Sequence, residues 1–226
     1  MYRMTTPSNQ GSHKPVDGEH RPIVFVVDDD ISVRESLELL IVSAGWRPIL
    51  FHSAQDFLEA APTSTPSCLI LDVNLPGLNG LDLQTLISSN GRGMPIIFVS
   101  GYGDVPLTVR ALKGGALDFL TKPIDSAAIL NAIQSALSQS EVLWLEEEKQ
   151  QALQRCFDAL TPREREVMSG VVKGLMNKQV AYELDISEIT VKAHRGQVMR
   201  KMGARSLPDL VNMAAKLRPE IDTADT

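Results

Sequence analysis

The run Cys68-Leu69-Ile70-Leu71-Asp72, with Pro76-Gly77 close behind, constrains this chain more than any other stretch, because it drives a carboxylate out of the end of a short apolar segment. Residues 69–71 have the length and branching of a buried parallel strand, and Pro76-Gly77 forces a turn after it. Asp72 therefore belongs at a strand's carboxyl edge, where open α/β sheets bind ligands. Taken alone, an aspartate before Pro-Gly merely caps a turn. Its meaning depends on what the other strands bring to the same edge.

Around that run the pattern is regular. Residues 23–27 read as a strand, and Val33, Leu37, Leu40, Ile41 and Ala44 share one helix face that Gly45 closes. A strand at 48–51 follows, then a helix capped by Ser53 with Asp56 three residues on. Beyond Asp72 come a helix at 81–88, a strand at 96–100, a helix at 105–113 capped by Asp104, a strand at 118–120 and a helix after Asp125. Five strands alternating with helices predict an α/β doubly wound parallel sheet over residues 21–138. Residues 1–20 are polar and aperiodic and read as a disordered leader, within which Met4 is an alternative start; residues 219–226 read as a disordered tail.

At 226 residues the chain has room for two cores. Its net charge of −6 conceals an asymmetry. Residues 21–135 carry seven Lys and Arg against twelve Asp and Glu, residues 136–158 two against five, and residues 159–218 eleven against six. An acidic front and a basic back suit two jobs, the second involving a polyanion such as DNA. No apolar run reaches the length of a membrane span, and the N-terminus lacks a signal peptide's apolar core, so a cytoplasmic protein with no membrane partner is expected. The two cysteines, Cys68 and Cys156, have no paired spacing, and the four histidines are scattered, so no zinc site follows.

The strands end in residues of matching chemistry: Asp28-Asp29 after the first, Asp72 after the third, Ser100 after the fourth and Lys122-Pro123 after the fifth. Three carboxylates on one edge repel one another, and an oxygen-seeking divalent ion such as Mg²⁺ relieves that. A lysine and a hydroxyl beside them supply charge and hydrogen bonds for an incoming phosphoryl group.

Val26-Val27-Asp28-Asp29, Leu71-Asp72 with Leu75-Pro76-Gly77 and Gly80, Val99-Ser100-Gly101 and Asp118-Phe119-Leu120-Thr121-Lys122-Pro123 together resemble the flavodoxin-like receiver domain of two-component response regulators. The resemblance implies that Asp72 accepts a phosphoryl group from a sensor histidine kinase. It implies Mg²⁺ on Asp28, Asp29, Asp72 and the Asn74 main-chain carbonyl, with Asp28 acting partly through water. Ser100 and Lys122 would bind phosphoryl oxygens, the Lys122-Pro123 bond would be cis, and Phe119 would repack with Ser100 as a switch. Asn74 and Tyr102 occupy positions that tune phosphoryl lifetime in that family. A rival resemblance is weaker: Asp28-Asp29-Asp30-Ile31-Ser32 is similar to the nucleophile motif of haloacid-dehalogenase-like phosphohydrolases, with Asp28 as nucleophile and Asp30 as acid.

Residues 139–158 lack Gly and Pro and are rich in Gln, Glu, Leu and Ala, so a helical linker is expected. Leu137, Trp144, Leu145, Leu153 and Phe157 offer a dimer seam without a strict heptad. An all-α four-helix domain should occupy 159–218. Thr161-Pro162-Arg163-Glu164 opens it with a capping box, Asn177 caps a short helix, Ser187 caps a longer one, and Ser206 starts the fourth. The turn Asp185-Ile186-Ser187 makes a helix-turn-helix. On the longer helix Val191, Val198 and Met202 face inward, leaving Lys192, Ala193, Arg195, Gly196 and Arg200 outward. The segment Leu160 to Val167, then Gly174, Asn177-Lys178, Ala181, Leu184, Ile186-Ser187, Thr190-Val191-Lys192, His194 and Lys201-Met202, is similar to LuxR-type DNA-binding domains.

Receiver and output together resemble FixJ/NarL-type response regulators, including regulators of aromatic-hydrocarbon catabolism. That resemblance implies a phosphorylation-dependent transcriptional regulator rather than an enzyme, acting on a double-stranded DNA operator with RNA polymerase and as a homodimer when phosphorylated or DNA-bound. Lys178, Thr190, Lys192, Ala193, Arg195, Gly196, Arg200 and Lys201 are the expected DNA-binding residues. A regulator that binds DNA constitutively beneath a silent receiver is the alternative within this class.

Overall fold

The computed structural model describes residues 21–60, 65–89, 93–101, 103 and 105–217; the expected leader and tail, Tyr102 and the Asp104 cap lie outside them. The chain divides into two compact units, Met1–Trp144 and Leu145–Thr226.

In the first unit the strands are β1 (Ile23–Val27), β2 (Arg47–Phe51), β3 (Ser67–Asp72), β4 (Ile96–Ser100) and β5 (Asp118–Thr121). They alternate with α1 (Ile31–Ser43), α2 (Ala54–Glu59), α3 (Gly80–Ser89), α4 (Val105–Lys113) and α5 (Ser126–Asp158). The sheet is wholly parallel in the order β2-β1-β3-β4-β5. From β1 the chain steps first to one side and then to the other, so a crevice opens at the carboxyl ends of β1 and β3.

Residue alternation divides the apolar core. Phe25, Val27, Leu69, Leu71 and Phe98 pack with Leu83 and Ala111 on one face, while Val24, Val26, Ile70, Ile97 and Val99 pack with Leu37, Ile41, Ile129 and Ile133 on the other. Because β1, β3 and β4 are covered on both faces, they read as continuous apolar runs. Cys68 sits inside this core, where burial pushes its thiol up to about 12. Ala44, expected on the buried stripe of α1, is instead its exposed C-cap, because the helix stops one residue earlier.

Helix α5 runs unbroken for 33 residues, so the expected linker is helical. Buried Ser140 accepts the Ser67 amide at 2.9 Å, tying the helix to the start of β3. Leu137 is consumed by the core of the first unit and Phe157 by the core of the second, which removes both from the expected dimer seam.

The second unit contains α6 (Pro162–Val172), α7 (Asn177–Glu183), α8 (Glu188–Met202) and α9 (Leu207–Lys216), packed on Val167, Met168, Val171, Val180, Val191, Val198, Met202 and Leu210. Asn177 is the first residue of α7 rather than its cap; Met176 holds the cap position and its amide is satisfied by the Gln179 side chain at 2.8 Å. Asp185, at φ 52°, turns the chain from α7 into α8, and the Ser187 hydroxyl accepts the Thr190 amide at 3.1 Å. Glycine 203, left-handed at φ 67°, ends α8.

Glu164 has two tasks at the start of α6. It closes the capping box with Thr161, and its carboxylate takes the Lys201 ammonium at 2.7 Å although its side chain is only 6% exposed. The Lys201 hydrogen bond, followed by the Thr161 amide, holds the Glu164 carboxyl below its ordinary value. A carboxyl depressed by folding contributes stability above its unfolded value that disappears as pH falls through the folded one. The urea midpoint of the second unit should therefore fall as pH drops below about 4.5. Glu164→Gln should start lower at pH 6 and change less over the same interval. Parallel pH profiles for the two proteins would show that this pair does not support the unit.

Candidate functional site

The switch-point crevice gathers most of the predicted residues. Asp28 directly follows β1 with its side chain fully buried; Asp72 ends β3 and Ser100 ends β4, both buried. Lys122 follows β5 and extends its ammonium between the two carboxylates, 2.7 Å from Asp28 Oδ2 and 3.0 Å from Asp72 Oδ1. The remaining carboxylate oxygens are also held. Asp28 Oδ1 accepts the Asp30 amide, and Asp72 Oδ2 accepts the Asn74 amide, each at 3.0 Å. Asp29 is exposed at the mouth of the crevice.

Backbone contacts fix this arrangement. The Lys122 amide donates to the Ser100 carbonyl at 2.8 Å, and the Lys122-Pro123 peptide bond is cis. Phe119 lies on β5 beside Phe98, with ring centroids 6.4 Å apart. Burial pushes the Asp28 carboxyl up. It also pulls the Lys122 ammonium down, but the hydrogen bonds and charges of Asp28 and Asp72 outweigh it and hold Lys122 above lysine's ordinary value. Both carboxylates thus share one cationic partner, and together with half-buried Lys122 they carry one net negative charge.

Among the described residues no group of three His, Cys, Asp or Glu side chains is gathered to hold a metal ion by itself. The donor chemistry nevertheless suits Mg²⁺, which is commonly bound through one or two carboxylates and keeps several waters. Asp28 and Asp72 supply the paired carboxylates, and exposed Asp29 and Asn74 follow them closely in the chain.

Two supporting contacts escaped the sequence reading, which held Gly80 only as a motif residue. Arg34 on α1 donates from Nη1 to the Asp28 carbonyl at 2.6 Å, pinning the turn that carries Asp28 and Asp29. Its signal was its place in the second turn of a helix that begins at the site. Gly80 starts α3 so close to β3 that an added Cβ would stand 2.4 Å from the Asp72 carbonyl oxygen and 3.1 Å from Phe98.

In the second unit Lys192, Ala193, Gly196 and Arg200 are exposed on α8, Lys178 is exposed in the first turn of α7, and Thr190 shares a hydrogen bond with Ser187 at 2.8 Å. Two expected outward residues lie elsewhere. Arg195, one turn from buried Val191, is half-buried and donates to Asn177 at 3.2 Å; Lys201 turns onto Glu164 and the Ala159 carbonyl.

Residues 24–134 match the response regulator receiver domain, and residues 158–214 match the bacterial regulatory proteins of the luxR family. Nodulation protein W of Bradyrhizobium diazoefficiens is 48% identical over 208 residues, 92% of this chain and 91% of that protein. The chain belongs to the response-regulator family. The transcriptional regulatory protein FixJ of the same organism is 42% identical, with 85% of this chain and 94% of FixJ covered. A solved structure of the response regulator StyR superposes with a TM-score of 0.76 at 44% identity, covering 87% of this chain and 99% of StyR. This response regulator therefore joins a receiver to a LuxR-type DNA-binding domain as a transcriptional regulator, and its family is not one of enzymes. None of its described helices is long and apolar enough to cross a membrane.

The Gly80 contact tests how tightly this regulator's site is built. Gly80→Ala should lose about 1–3 kcal/mol in urea unfolding through overpacking against β3. It should also lower the rate at which acetyl phosphate with Mg²⁺ labels the protein. An unchanged midpoint would mean that α3 shifts freely.

Proposed function

We propose that Asp72 accepts a phosphoryl group from the phosphohistidine of a sensor kinase, and that the modified receiver switches the output domain onto operator DNA. The observation that carries this reading is the Lys122 ammonium held between Asp28 and Asp72 at a sheet switch point. A carboxylate oxygen of Asp72 forms the new O–P bond as the N–P bond to the kinase imidazole breaks, and the imidazole departs with that electron pair. Lys122 neutralises charge on the phosphoryl oxygens, and the Ser100 hydroxyl donates a hydrogen bond to one of them. Asp28, Asp29, Asp72 and the Asn74 carbonyl would hold Mg²⁺, which supplies positive charge for the transferring group. Movement of Ser100 and Phe119 then alters the neighbouring surface at residues 104–124.

The haloacid-dehalogenase reading gains no support from this geometry. Its acid, Asp30, instead caps α1, with Oδ1 accepting the Ser32 amide at 2.8 Å, and after Lys122 the chain enters α5 rather than a further strand.

On DNA, α8 enters the major groove with Lys192, Ala193 and Gly196 toward base edges, while Arg200 and Lys178 meet phosphates and Thr190 supports the helix start. Arg195 and Lys201 act by holding α8 against α7 and α6. Dimer formation and recruitment of RNA polymerase complete the proposal.

Asp72→Asn should abolish Mg²⁺-dependent labelling by acetyl phosphate while circular dichroism stays unchanged. Label appearing at another residue defeats the assignment.

A second measurement separates base reading from charge. Lys192→Ala should cost roughly 1–3 kcal/mol on selected operator DNA and relax preference at one base pair. Arg200→Ala should weaken operator and random DNA alike and reduce the salt slope by about one unit. Equal weakening on both DNAs by Lys192→Ala would make Lys192 a phosphate contact.

A further inference from the structure

Ile189 stands in the first turn of α8 with 82% of its surface exposed. The second unit's core takes Val191, Val198 and Met202 from this helix, and partly buried Ile186 and Met199 pack against it, but Ile189 is absent from that packing. Neither does helix propensity call for it, since a β-branched residue is less favourable there than a straight-chain one. Local folding therefore gives this side chain no task.

Its angular position does. At about 100° per residue, Ile189, Ala193, Gly196 and Arg200 fall within one narrow stripe opposite buried Val191. Ala193 is exposed, and a Cβ added at Gly196 would meet nothing within 4 Å, so the middle of the stripe is open and small. Exposed Lys192 flanks it and exposed Arg200 closes it, giving an apolar strip with cations on its border. Duplex DNA answers both features: phosphates meet the cations, and thymine is the base that offers an apolar group, its 5-methyl, in the major groove. Ile189, Ala193 and Gly196 contribute no side-chain donor that could read a purine edge.

We propose that Ile189, with Ala193 beside it, reads a thymine 5-methyl group, and so sets part of this regulator's sequence preference. The inference rests on the proposed entry of α8 into the major groove, and its test separates the two.

Full-length protein treated with acetyl phosphate and Mg²⁺ is used to select duplexes from a random library. Each thymine of a selected duplex is then replaced singly by deoxyuridine, which removes only the methyl group. At one or more positions the replacement should weaken wild-type binding by about fourfold, the value of one lost buried methyl. Ile189→Ser should bind the thymine and uracil duplexes equally at that position, with random-duplex affinity and circular dichroism unchanged, whereas Ile189→Val should keep part of the discrimination. Selection that succeeds without any thymine showing this sensitivity overturns the inference alone, as does full sensitivity in Ile189→Ser. Failure to select any sequence overturns the DNA reading and this inference with it.

Discussion

The Lys122 ammonium, held between the buried carboxylates of Asp28 and Asp72, is the interaction on which the receiver depends. It joins the ends of three different strands. Without it, two carboxylates would sit together at strand ends whose preceding residues, Val26, Val27, Leu71 and Val99, are fully shielded from water. Like charges in such surroundings do not both ionise without a cation between them. The sheet order makes the meeting unavoidable, because β1 and β3 are neighbours and β4 and β5 continue the same edge. The doubly wound topology and the site are in this sense one feature: the reversal that opens the crevice also delivers its charges.

The second unit uses a buried ion pair differently. Lys201 and Glu164 join the end of α8 to the start of α6, while Arg163 donates to the Leu184 carbonyl at 2.6 Å and thereby fastens the end of α7. Adjacent residues of one capping box thus hold both members of the helix-turn-helix. Apolar packing sets the distance between these helices but is non-directional, whereas paired hydrogen bonds at their ends fix rotation. Arg195, reaching Asn177, adds a third such bond at the opposite end of α7. A helix that reads base edges requires this rotational control, since side chains sharing one face lie only about 40–60° apart around the axis.

Much of this was legible in the sequence where a residue's local pattern determined its environment. Strand periodicity, Pro76-Gly77, and the cap residues Ser53, Thr161, Ser187 and Ser206 act over a few neighbours, and their elements stand where the pattern put them. The convergence of Asp28, Asp72, Ser100 and Lys122 was legible because strand alternation dictates which ends share an edge. What could not be read were choices made by flexible cations. Lys201 and Arg195 looked like outward charges, but long side chains bend toward whatever carboxylate or amide packing supplies, and Glu164 and Asn177 come from other helices. The roles of Arg34 and Gly80 were hidden for a related reason, since both depend on the distance between a helix start and a strand end. Leu137 and Phe157 misled as a seam because an unbroken helix can place its apolar residues in two separate cores.

The resting charge balance, with Asp28 so deeply buried, also bears on the proposed phosphoryl transfer. The trio of Asp28, Asp72 and Lys122 carries one net negative charge, and the proposed phosphoryl group on Asp72 would add more beside the Lys122 ammonium. If Lys122 follows the phosphoryl oxygens, Asp28 loses its closest cation while its side chain remains fully buried. An unpaired buried carboxylate is costly by several kcal/mol. The proposed transfer is therefore favourable only with a second positive charge beside Asp28, and the acceptor oxygens available for one belong to Asp28, exposed Asp29 and the Asn74 carbonyl. In the proposed reaction the buried aspartate would make dependence on a divalent cation a property of the product as well as of the transition state. Mutating Asp28 should accordingly alter cation dependence more than it alters the fold, because Lys122 retains Asp72 as a partner.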